Sequence, residues 1–193
     1  MKVSVITATY NRDATIVRAI SSVKSQIYTD IQVVVIDGAS QDDTISLVSP
    51  MLDDKDILQS EPDQGIYDAL NKGLDLADGE IVAFLHSDDL YFDNNVISKV
   101  VEIFSDDSVD VVYGDVCFFS SSSVTKIKRR YRSDILSERN LAWGKMPAHP
   151  AIFIRRQIYE EIGYFETDFQ IAADYDFLCR LVQYANLKSV YLS

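Results

Sequence analysis

Three short apolar runs in the first half of the chain each end in polar residues, and a segment with helical periodicity follows each run. The runs are residues 3–8, 32–36 and 81–85, and most of their side chains are apolar or β-branched. Such runs predict buried strands, and strands that alternate with helices form parallel βαβ units. The chain is therefore predicted to be an α/β protein with a Rossmann-like, mostly parallel central sheet and helices on both faces.

The polar residues after these runs are predicted to lie together, because the carboxyl ends of parallel strands meet at one edge of a sheet, where ligands bind. Tyr10 could stack on a nucleotide base, and Asp37 could accept a hydrogen bond from the base or from a ribose hydroxyl. Each turn also has a purely structural interpretation. Asp13 and Asp42 suit helix N-caps, and Asp37 followed by Gly38 is a common turn sequence.

Asp88 and Asp89 stand just after the third run. Ionised carboxylates are costly to bury without a partner, and a pair of them at a strand end suits a hard divalent cation such as Mg²⁺ or Mn²⁺. A metal in this position typically holds a diphosphate. Asp89 could instead cap the helix that is predicted for residues 94–104, and the pair alone does not decide between the two interpretations.

The remaining elements are predicted from hydrophobic periodicity and apolar composition. They are helices at residues 14–23, 44–51, 134–141, 156–162 and 172–184 and over most of 61–78, and strands near residues 109–118 and 151–154. Asp63 is expected to cap the helix within residues 61–78. The serine tract at residues 120–123 is predicted to be a hairpin tip or a loop.

Several segments carry a more specific signal in their order and spacing than any of them carries alone. They are residues 3–12, residues 34–40 with Asp42 and Thr44, residues 60–73, Gly79 with Glu80, Asp88 with Asp89, and residues 172–177 with Arg180. In these segments the chain resembles the family 2 inverting glycosyltransferases, which are nucleotide-diphosphate-sugar transferases with the GT-A fold. The resemblance covers essentially the whole length. It implies one GT-A domain over residues 1–193, with the nucleotide-sugar half at 1–105 and the acceptor half at 106–193.

The resemblance implies a role for each matching residue. Asp174 matches the catalytic base, and Asp89 matches the metal ligand of the DxD-type motif, with Mn²⁺ or Mg²⁺ as the cofactor. His149 matches a recurrent histidine on the acceptor side. The residues that match the nucleotide and donor site are Thr7, Thr9, Tyr10, Arg12, Asp37, Asp68, Lys72 and Asp88.

Three positions depart from the family's pattern. Gly38 stands where a second acidic residue is expected after the second strand, so one contact with the base is missing and a uridine nucleotide is less securely implied. His86 replaces the first Asp of the metal motif, and Ala173 replaces the Glu that precedes the catalytic base. None of the three removes a residue that the mechanism requires.

Composition indicates the partners and the compartment. The chain has 193 residues, a net charge of −12 and 47% hydrophobic residues, which is typical of one folded domain. A pI near 4.5 argues against nucleic acid as a partner. Cys117 and Cys179 lie in apolar contexts, so reduced thiols in the cytoplasm are expected. We expect neither a signal peptide nor a membrane span, because the first strand begins at Lys2 and no apolar stretch is long enough.

Five of the chain's 18 basic residues lie within residues 126–132, namely Lys126, Lys128, Arg129, Arg130 and Arg132. Such a run is usually a solvated surface, which is the first interpretation. The second is a peripheral contact with an anionic lipid surface at the inner face of the cell membrane, or with a lipid-linked acceptor. The chain stops at or just after a predicted strand, so the acceptor half is expected to be truncated or naturally short.

These expectations combine into a metal-dependent inverting glycosyltransferase. It would move a sugar from a nucleotide-diphosphate donor, with UDP the expected nucleotide, to a hydroxyl of a saccharide or lipid-linked acceptor, in cell-surface polysaccharide synthesis. One alternative is a non-catalytic nucleotide-sugar-binding or assembly module. The other is a sugar nucleotidyltransferase, which is expected to carry a glycine-rich basic loop after the first strand. Residues 7–12 contain one Arg and no glycine.

Overall fold

The chain alternates strands and helices in a computed structural model that describes residues 1–120, 123–133 and 136–192, with only the backbone at 123–126. The strands are β1 (Val3–Thr9), β2 (Ile31–Asp37), β3 (Ile57–Ser60), β4 (Ile81–Phe84), β5 (Val111–Gly114), β6 (Val116–Ser120), β7 (Ser123–Tyr131), β8 (Ile152–Arg155) and β9 (Ser189–Leu192). The helices are α1 (Ile16–Lys24), α2 (Thr44–Val48), α3 (Ile66–Leu76), α4 (Val96–Phe104), α5 (Glu138–Leu141), α6 (Arg156–Ile162) and α7 (Ala173–Val182). Short 3-10 turns lie at Ser49–Met51 and His149–Ala151.

Seven strands form the central sheet in the order β3-β2-β1-β4-β8-β5-β9. β1 lies between β2 and β4 and runs parallel to both, and β3 extends the parallel part beside β2. β8 is antiparallel to both of its neighbours. The predicted mostly parallel α/β sheet is confirmed, and the carboxyl ends of β1, β2 and β4 lie at one edge.

Both faces of this sheet are covered by helices, so its central strands are buried along most of their length. In β1, Val5 and Ile6 point to opposite faces, and neither has exposed surface. Ile6 packs in a layer with residues of α3, α6 and α7, whereas Val5 packs with residues of α1 and α4. The protein is thus one α/β domain with a helical layer on each face of the sheet.

Helix α3 crosses the sheet at very short range. A Cβ atom added at Gly73 would lie 2.4 Å from Cγ2 of Ile6 and 3.5 Å from Cγ1 of Ile36. A helix with any side chain at this position would have to stand further from β1. The glycine therefore holds α3 against β1 and β2, and the first turn of α3 lies near the edge where these strands end.

The structure corrects the strand that was predicted over residues 109–118. It is two strands, β5 in the central sheet and β6 in a separate hairpin with β7. The break falls at Asp115, whose carboxylate accepts hydrogen bonds from Ser133 N at 2.9 Å and from Tyr191 Oη at 2.7 Å. These long-range partners redirect the chain out of the central sheet.

β3 has no counterpart among the predicted elements, because its four residues contain no long apolar run.

Four residues considered as helix caps are not N-caps. α2 begins at Thr44 with Asp43 rather than Asp42 at the N-cap, and α4 begins at Val96 with Asn95 rather than Asp89 at the N-cap. α1 begins at Ile16 with Thr15 at the N-cap rather than Asp13, and α3 begins at Ile66 with Gly65 at the N-cap rather than Asp63. The φ angle of Gly65 is 120°, a value that side chains disfavour, so glycine is needed there. Asp63 instead supports this turn by accepting a hydrogen bond from Gly65 N at 2.9 Å.

Parts of two predictions lie outside the described residues. Residues 121–122 belong to the predicted hairpin tip and residues 134–135 to the helix predicted at 134–141, of which α5 is the described part. Cys117 and Cys179 are both free thiols, as the apolar context of each predicted. Within the described ranges, no helix combines the length and the apolar character that a bilayer crossing needs.

Candidate active site

The loops after β1 and β2 are joined into one unit by hydrogen bonds. Asn11 N donates to Ser40 Oγ and Gln41 N donates to Asn11 Oδ1, each at 2.8 Å. Arg12 N donates to Thr44 Oγ1 at 2.8 Å, at the start of α2. Backbone donors of one loop are thus satisfied by side chains of the other. The two loops therefore meet at the sheet edge, as predicted.

Three non-glycine residues with positive φ lie in loops at this end of the molecule. They are Asn11 (51°), Ala39 (63°) and Ala172 (73°), and Ala172 stands just before α7. Asparagine tolerates this conformation, but alanine pays a steric cost of about 1–2 kcal/mol. Backbone strain of this kind concentrates at functional sites, because the surrounding structure must hold it in place.

A cleft of about 390 Å³ opens at the carboxyl edge. Its lining residues are Ala8, Thr9, Tyr10, Arg12, Asp63, Gly65, Ile66, Ala69, His86, Ser87 and Asp88. Tyr10 presents an aromatic ring that is 57% exposed. The Thr9 hydroxyl is buried and has no hydrogen-bond partner among the described residues. A flat ring in the cleft can stack on Tyr10, whereas the Thr9 hydroxyl has essentially no accessible surface and would meet a ligand only after a local rearrangement.

Thr7 and Asp37 lie beneath this cleft rather than in its wall. Both are fully buried. The Asp37 carboxylate accepts hydrogen bonds from Ser40 N at 2.9 Å, from Ser40 Oγ and from Ser60 Oγ at 2.6 Å. These bonds tie the end of β2 to its own loop and to the end of β3. The predicted base contact of Asp37 would need this buried carboxylate to change partners, whereas Thr9, Tyr10 and Arg12 already face the cleft.

Asp88 and Asp89 follow β4, as predicted, with Asp88 exposed at the cleft and Asp89 half-buried. Burial raises the pKa of Asp89, the neighbouring His86 side chain lowers it, and the Asp88 carboxylate raises it further. No hydrogen bond or ion pair compensates the Asp89 carboxylate within the described part of the chain. A divalent cation would supply that compensation, and the chemistry of the two carboxylates therefore fits Mg²⁺ or Mn²⁺.

The described residues contain no group of three or more His, Cys, Asp or Glu side chains arranged to hold a metal. This agrees with the coordination habit of Mg²⁺, which is usually bound through one or two carboxylates together with waters and substrate phosphates. The protein would thus contribute Asp88 and Asp89, and the donor diphosphate would complete the coordination.

His149 lies between the acidic pair and α7. Its ring stacks on Phe84 with centroids 5.0 Å apart, meets Phe165 edge-on at 5.5 Å, and stands 5.9 Å from the ring of His86. Burial lowers the pKa of His149 to about 4; the charge of His86 also lowers it, whereas Asp174 raises it. His149 is therefore neutral at pH 7. It lies against Phe84 at the end of β4, and the charge of the predicted catalytic base acts on it.

Asp174 lies in the first turn of α7 and is half-buried. Tyr67, in the first turn of α3, donates its hydroxyl hydrogen to Asp174 Oδ1 at 3.1 Å. Burial and the adjacent Asp174 charge raise the pKa of Tyr67, so its hydroxyl stays protonated and able to donate. One carboxylate oxygen is thus oriented by Tyr67, and the other has no donor among the described side chains.

Asp68 and Lys72 do not line the cleft beside Tyr10. Lys72 Nζ lies 2.9 Å from Glu61 Oε1 and 3.2 Å from Asp68 Oδ2. The Lys72 hydrogen bond lowers the pKa of Glu61. The pKa of Asp68 is lowered mainly by the hydrogen bond from the backbone N–H of Gln64, and Lys72 lowers it further. The two predicted donor-site residues thus brace the start of α3.

A second, smaller cleft of about 220 Å³ adjoins the first across Gly65 and Ile66, which line both. Its other lining residues are Gln64, Tyr67, Asp68, Thr167, Phe169 and Gln170. The amide, hydroxyl and aromatic groups of this cleft suit a carbohydrate, and Tyr67 joins it to Asp174. No sequence pattern predicts this cleft. Only the proximity of the turn at Gln64–Gly65 to the loop before α7 creates it, and no local pattern signals that proximity.

This fold is that of GT-A glycosyltransferases. A family model described as glycosyl transferase family 2 matches residues 4–163, and the chain belongs to that family. It is 31% identical over 185 residues to a PGL/p-HBAD biosynthesis glycosyltransferase of Mycobacterium bovis, and the match covers 92% of this chain and 68% of the relative. It is 35% identical over 181 residues to an uncharacterized glycosyltransferase of Mycobacterium tuberculosis, with the same coverages.

Solved structures give the same fold. S. aureus TarS 1–349 in complex with UDP superimposes with a TM-score of 0.76 at 25% identity, covering 100% of this chain and 58% of TarS 1–349. The mannosyltransferase PcManGT of Pyrobaculum calidifontis, in complex with GDP-Man and Mn²⁺, gives a TM-score of 0.73 at 24% identity, covering 99% and 54%. The chain thus spans little more than half the length of these structures.

Proposed function

We propose that this chain transfers a sugar, with inversion, from a UDP-sugar to a hydroxyl group of a saccharide or lipid-linked acceptor. One observation carries the proposal: a cleft with an exposed aromatic ring and an acidic pair lies beside His86 and His149, and the charge of a half-buried carboxylate that a tyrosine orients acts on His149. The exposed ring suits a nucleotide base, the acidic pair suits a metal-bound diphosphate, and the oriented carboxylate suits a reacting hydroxyl. The complex of TarS with UDP supports uridine as the nucleotide.

Asp174 acts as the general base in this proposal. Its free carboxylate oxygen accepts the proton of the acceptor hydroxyl while the hydroxyl oxygen attacks the anomeric carbon. Tyr67 holds the carboxylate in position. The nucleotide diphosphate leaves from the opposite face of the sugar, as an in-line displacement requires. Neutral His149 places no positive charge beside Asp174. The base therefore keeps its ability to accept a proton.

Asp88 and Asp89 would hold the divalent cation. When bound, the cation neutralises negative charge on the departing diphosphate. Tyr10 and Thr9 bind the nucleoside end in the same cleft. The second cleft, which Tyr67 joins to Asp174, takes the acceptor saccharide, and Phe169 offers it an aromatic face that is 47% exposed. Donor and acceptor thus meet near Tyr67.

The β6–β7 hairpin supports a lipid-linked acceptor. Lys128 and Arg129 are exposed, the Arg129 guanidinium lies 4.7 Å from the centre of the Phe118 ring, and Phe118 is itself 48% exposed. Basic and aromatic side chains together suit an anionic membrane surface. Flotation with phosphatidylglycerol vesicles tests this contact. The variant Lys128→Glu/Arg129→Glu should lose binding, whereas Arg156→Glu, an exposed charge reversal elsewhere, should keep it. Equal binding by all three proteins would contradict the contact.

Calorimetric titration of UDP, GDP and CMP, with and without Mn²⁺, tests the donor site. We expect Mn²⁺-dependent binding of UDP that Asp89→Ala abolishes. Asp107→Ala is the control, because Asp107 is a carboxylate with a 99% exposed side chain that does not line the cleft. Binding without turnover in the presence of any acceptor would favour the non-catalytic binding module instead. Failure of all three nucleotides to bind would contradict the proposal.

A further inference from the structure

Gly38 and Asp63 occupy one small space from opposite loops. A Cβ atom added at Gly38 would lie 2.6 Å from Asp63 Oδ2 and 3.5 Å from Cδ2 of the Tyr10 ring. The backbone of Gly38 has no positive φ angle, so its own conformation does not demand glycine. What a side chain at this position would meet is the Asp63 carboxylate. The absent side chain thus makes room for an acidic group that another loop supplies.

The Asp63 carboxylate is held at this place by its own loop. Its Oδ1 atom accepts the hydrogen bond from Gly65 N at 2.9 Å, and Gly65 has the φ angle of 120° that turns the chain into α3. The facing backbone is fixed as well, because Gly38 N donates to Thr9 O at 2.9 Å. Asp63 Oδ2 is left without a donor among the described residues, and Asp63 lines the cleft together with Tyr10.

We infer that Asp63 selects the nucleobase: its Oδ2 atom accepts the imide N3–H of a uracil ring that lies against Tyr10. The inference rests on the proposed function, since it concerns the same donor cleft. In it, Gly38 serves as the spacer that lets the carboxylate reach the ring. Asp63 is then a binding residue for specificity, and it takes no part in the transfer step itself.

The number of free carboxylate oxygens distinguishes the bases. Guanine presents two adjacent donors, N1–H and N2–H, which fit a carboxylate best when both oxygens are free, but Gly65 N occupies Oδ1. Cytosine presents an unprotonated nitrogen at N3, where an acceptor that faces a carboxylate is disfavoured. Its N4 amino group can donate to Oδ2 only if the ring shifts from the position in which N3 faces the carboxylate. Uracil presents one donor for one free oxygen. The geometry therefore favours uridine nucleotides.

The test compares Kd values of UDP, CDP and GDP in the presence of Mn²⁺ for the whole chain and three variants. Because a hydrogen bond to a charged group is lost, Asp63→Ala should weaken UDP binding by about tenfold or more and CDP binding by less than about threefold. Gly38→Ala, whose new methyl group displaces the carboxylate, should act in the same direction. The double variant should bind UDP no more weakly than Asp63→Ala alone, because both changes remove one contact.

Glu61→Ala is the matched control, since it removes one carboxylate from the same segment, where Glu61 pairs with Lys72 at 2.9 Å. It should leave the preference for UDP over CDP unchanged. If Asp63→Ala unfolds, Gly38→Ala still provides the test, because the Gly65 hydrogen bond remains available. Unchanged base preference in both single variants, or a preference of the unaltered chain for GDP, would overturn this inference alone. No nucleotide binding by the unaltered chain would overturn the proposed function as well.

Discussion

Replacement of Asp174 by asparagine separates catalysis from folding and binding. Asparagine keeps an oxygen that can accept the Tyr67 hydrogen bond of 3.1 Å, so the junction of α3 and α7 should persist. The amide cannot accept the acceptor's proton. Removal of a general base typically lowers kcat by about 100-fold to 10,000-fold, which corresponds to about 3–5 kcal/mol of barrier height.

The stability cost of this change should be small. Asp174 lies in the first turn of α7, where a negative charge interacts favourably with the helix dipole by about 0.3–1 kcal/mol. For a domain of this size, such a loss lowers the Tm by roughly 1–4 °C. The Kd of the nucleotide should stay within about twofold of its original value, because Asp174 does not line the donor cleft.

Asp176→Asn is the matched control. Asp176 lies in the same first turn of α7 and carries the same charge, but it pairs with Arg180 Nε at 2.9 Å. The assay measures release of the nucleotide diphosphate with a donor and acceptor pair found by screening, beside calorimetry and thermal unfolding of each variant. A kcat for Asp174→Asn above about one tenth of the original value would refute its role as the base. So would an equal loss in Asp176→Asn.

Three further predictions concern stability and titration. Ala172→Gly relieves a left-handed alanine and should raise the free energy of unfolding in urea by about 0.5–1 kcal/mol, after the greater flexibility of glycine in the unfolded chain is subtracted; a loss of stability would contradict the strain. Gly73→Ala should lower it by about 1 kcal/mol, because overpacking outweighs the gain in helix propensity, and an unchanged value would mean that α3 moves freely. Lys72→Met should raise the pKa values of Glu61 and Asp68 in a carboxyl NMR titration. Both pKa values are lowered in the folded chain, so the stabilisation from these two carboxylates is present above their unfolded pKa values and is lost on acidification. The free energy of unfolding of the variant should therefore fall less on acidification than that of the unaltered chain.

The order of strands and helices could be predicted because each element carries its own periodicity. α6, for example, has the predicted bounds Arg156–Ile162, and β1, β2 and β4 end within one residue of the predicted positions. The strand over residues 109–118 could not be divided in advance. Asp115 breaks it only because Ser133 and Tyr191 bring donors to its carboxylate, and those partners are distant in sequence.

The sequence predicted which residues lie at the candidate site better than it predicted the contacts that those residues make. Tyr10, Arg12 and Asp88 face the cleft as expected, because residues just after parallel strands must lie at the sheet edge. The burial of Asp37 depends on the Ser60 hydroxyl, which β3 brings alongside. The position of Asp63 against Gly38 depends on two loops that meet only in the folded chain. Hydrophobic periodicity carries no information about contacts between distant loops.

Several strained and unsatisfied groups lie at the candidate site. Ala39 and Ala172 hold left-handed backbone conformations, and the hydroxyls of Thr7 and Thr9 are buried without partners among the described residues. All four lie in or beside the strand ends and loops that form the site. Such groups are not confined to the site, because the hydroxyls of Thr15 and Tyr91 are also buried without partners among the described residues, and Asn186 also has a positive φ angle. At the site, a bound molecule that contacts these loops can restore part of the stability that the strain removes, because the packed sheet keeps the strained loops in place.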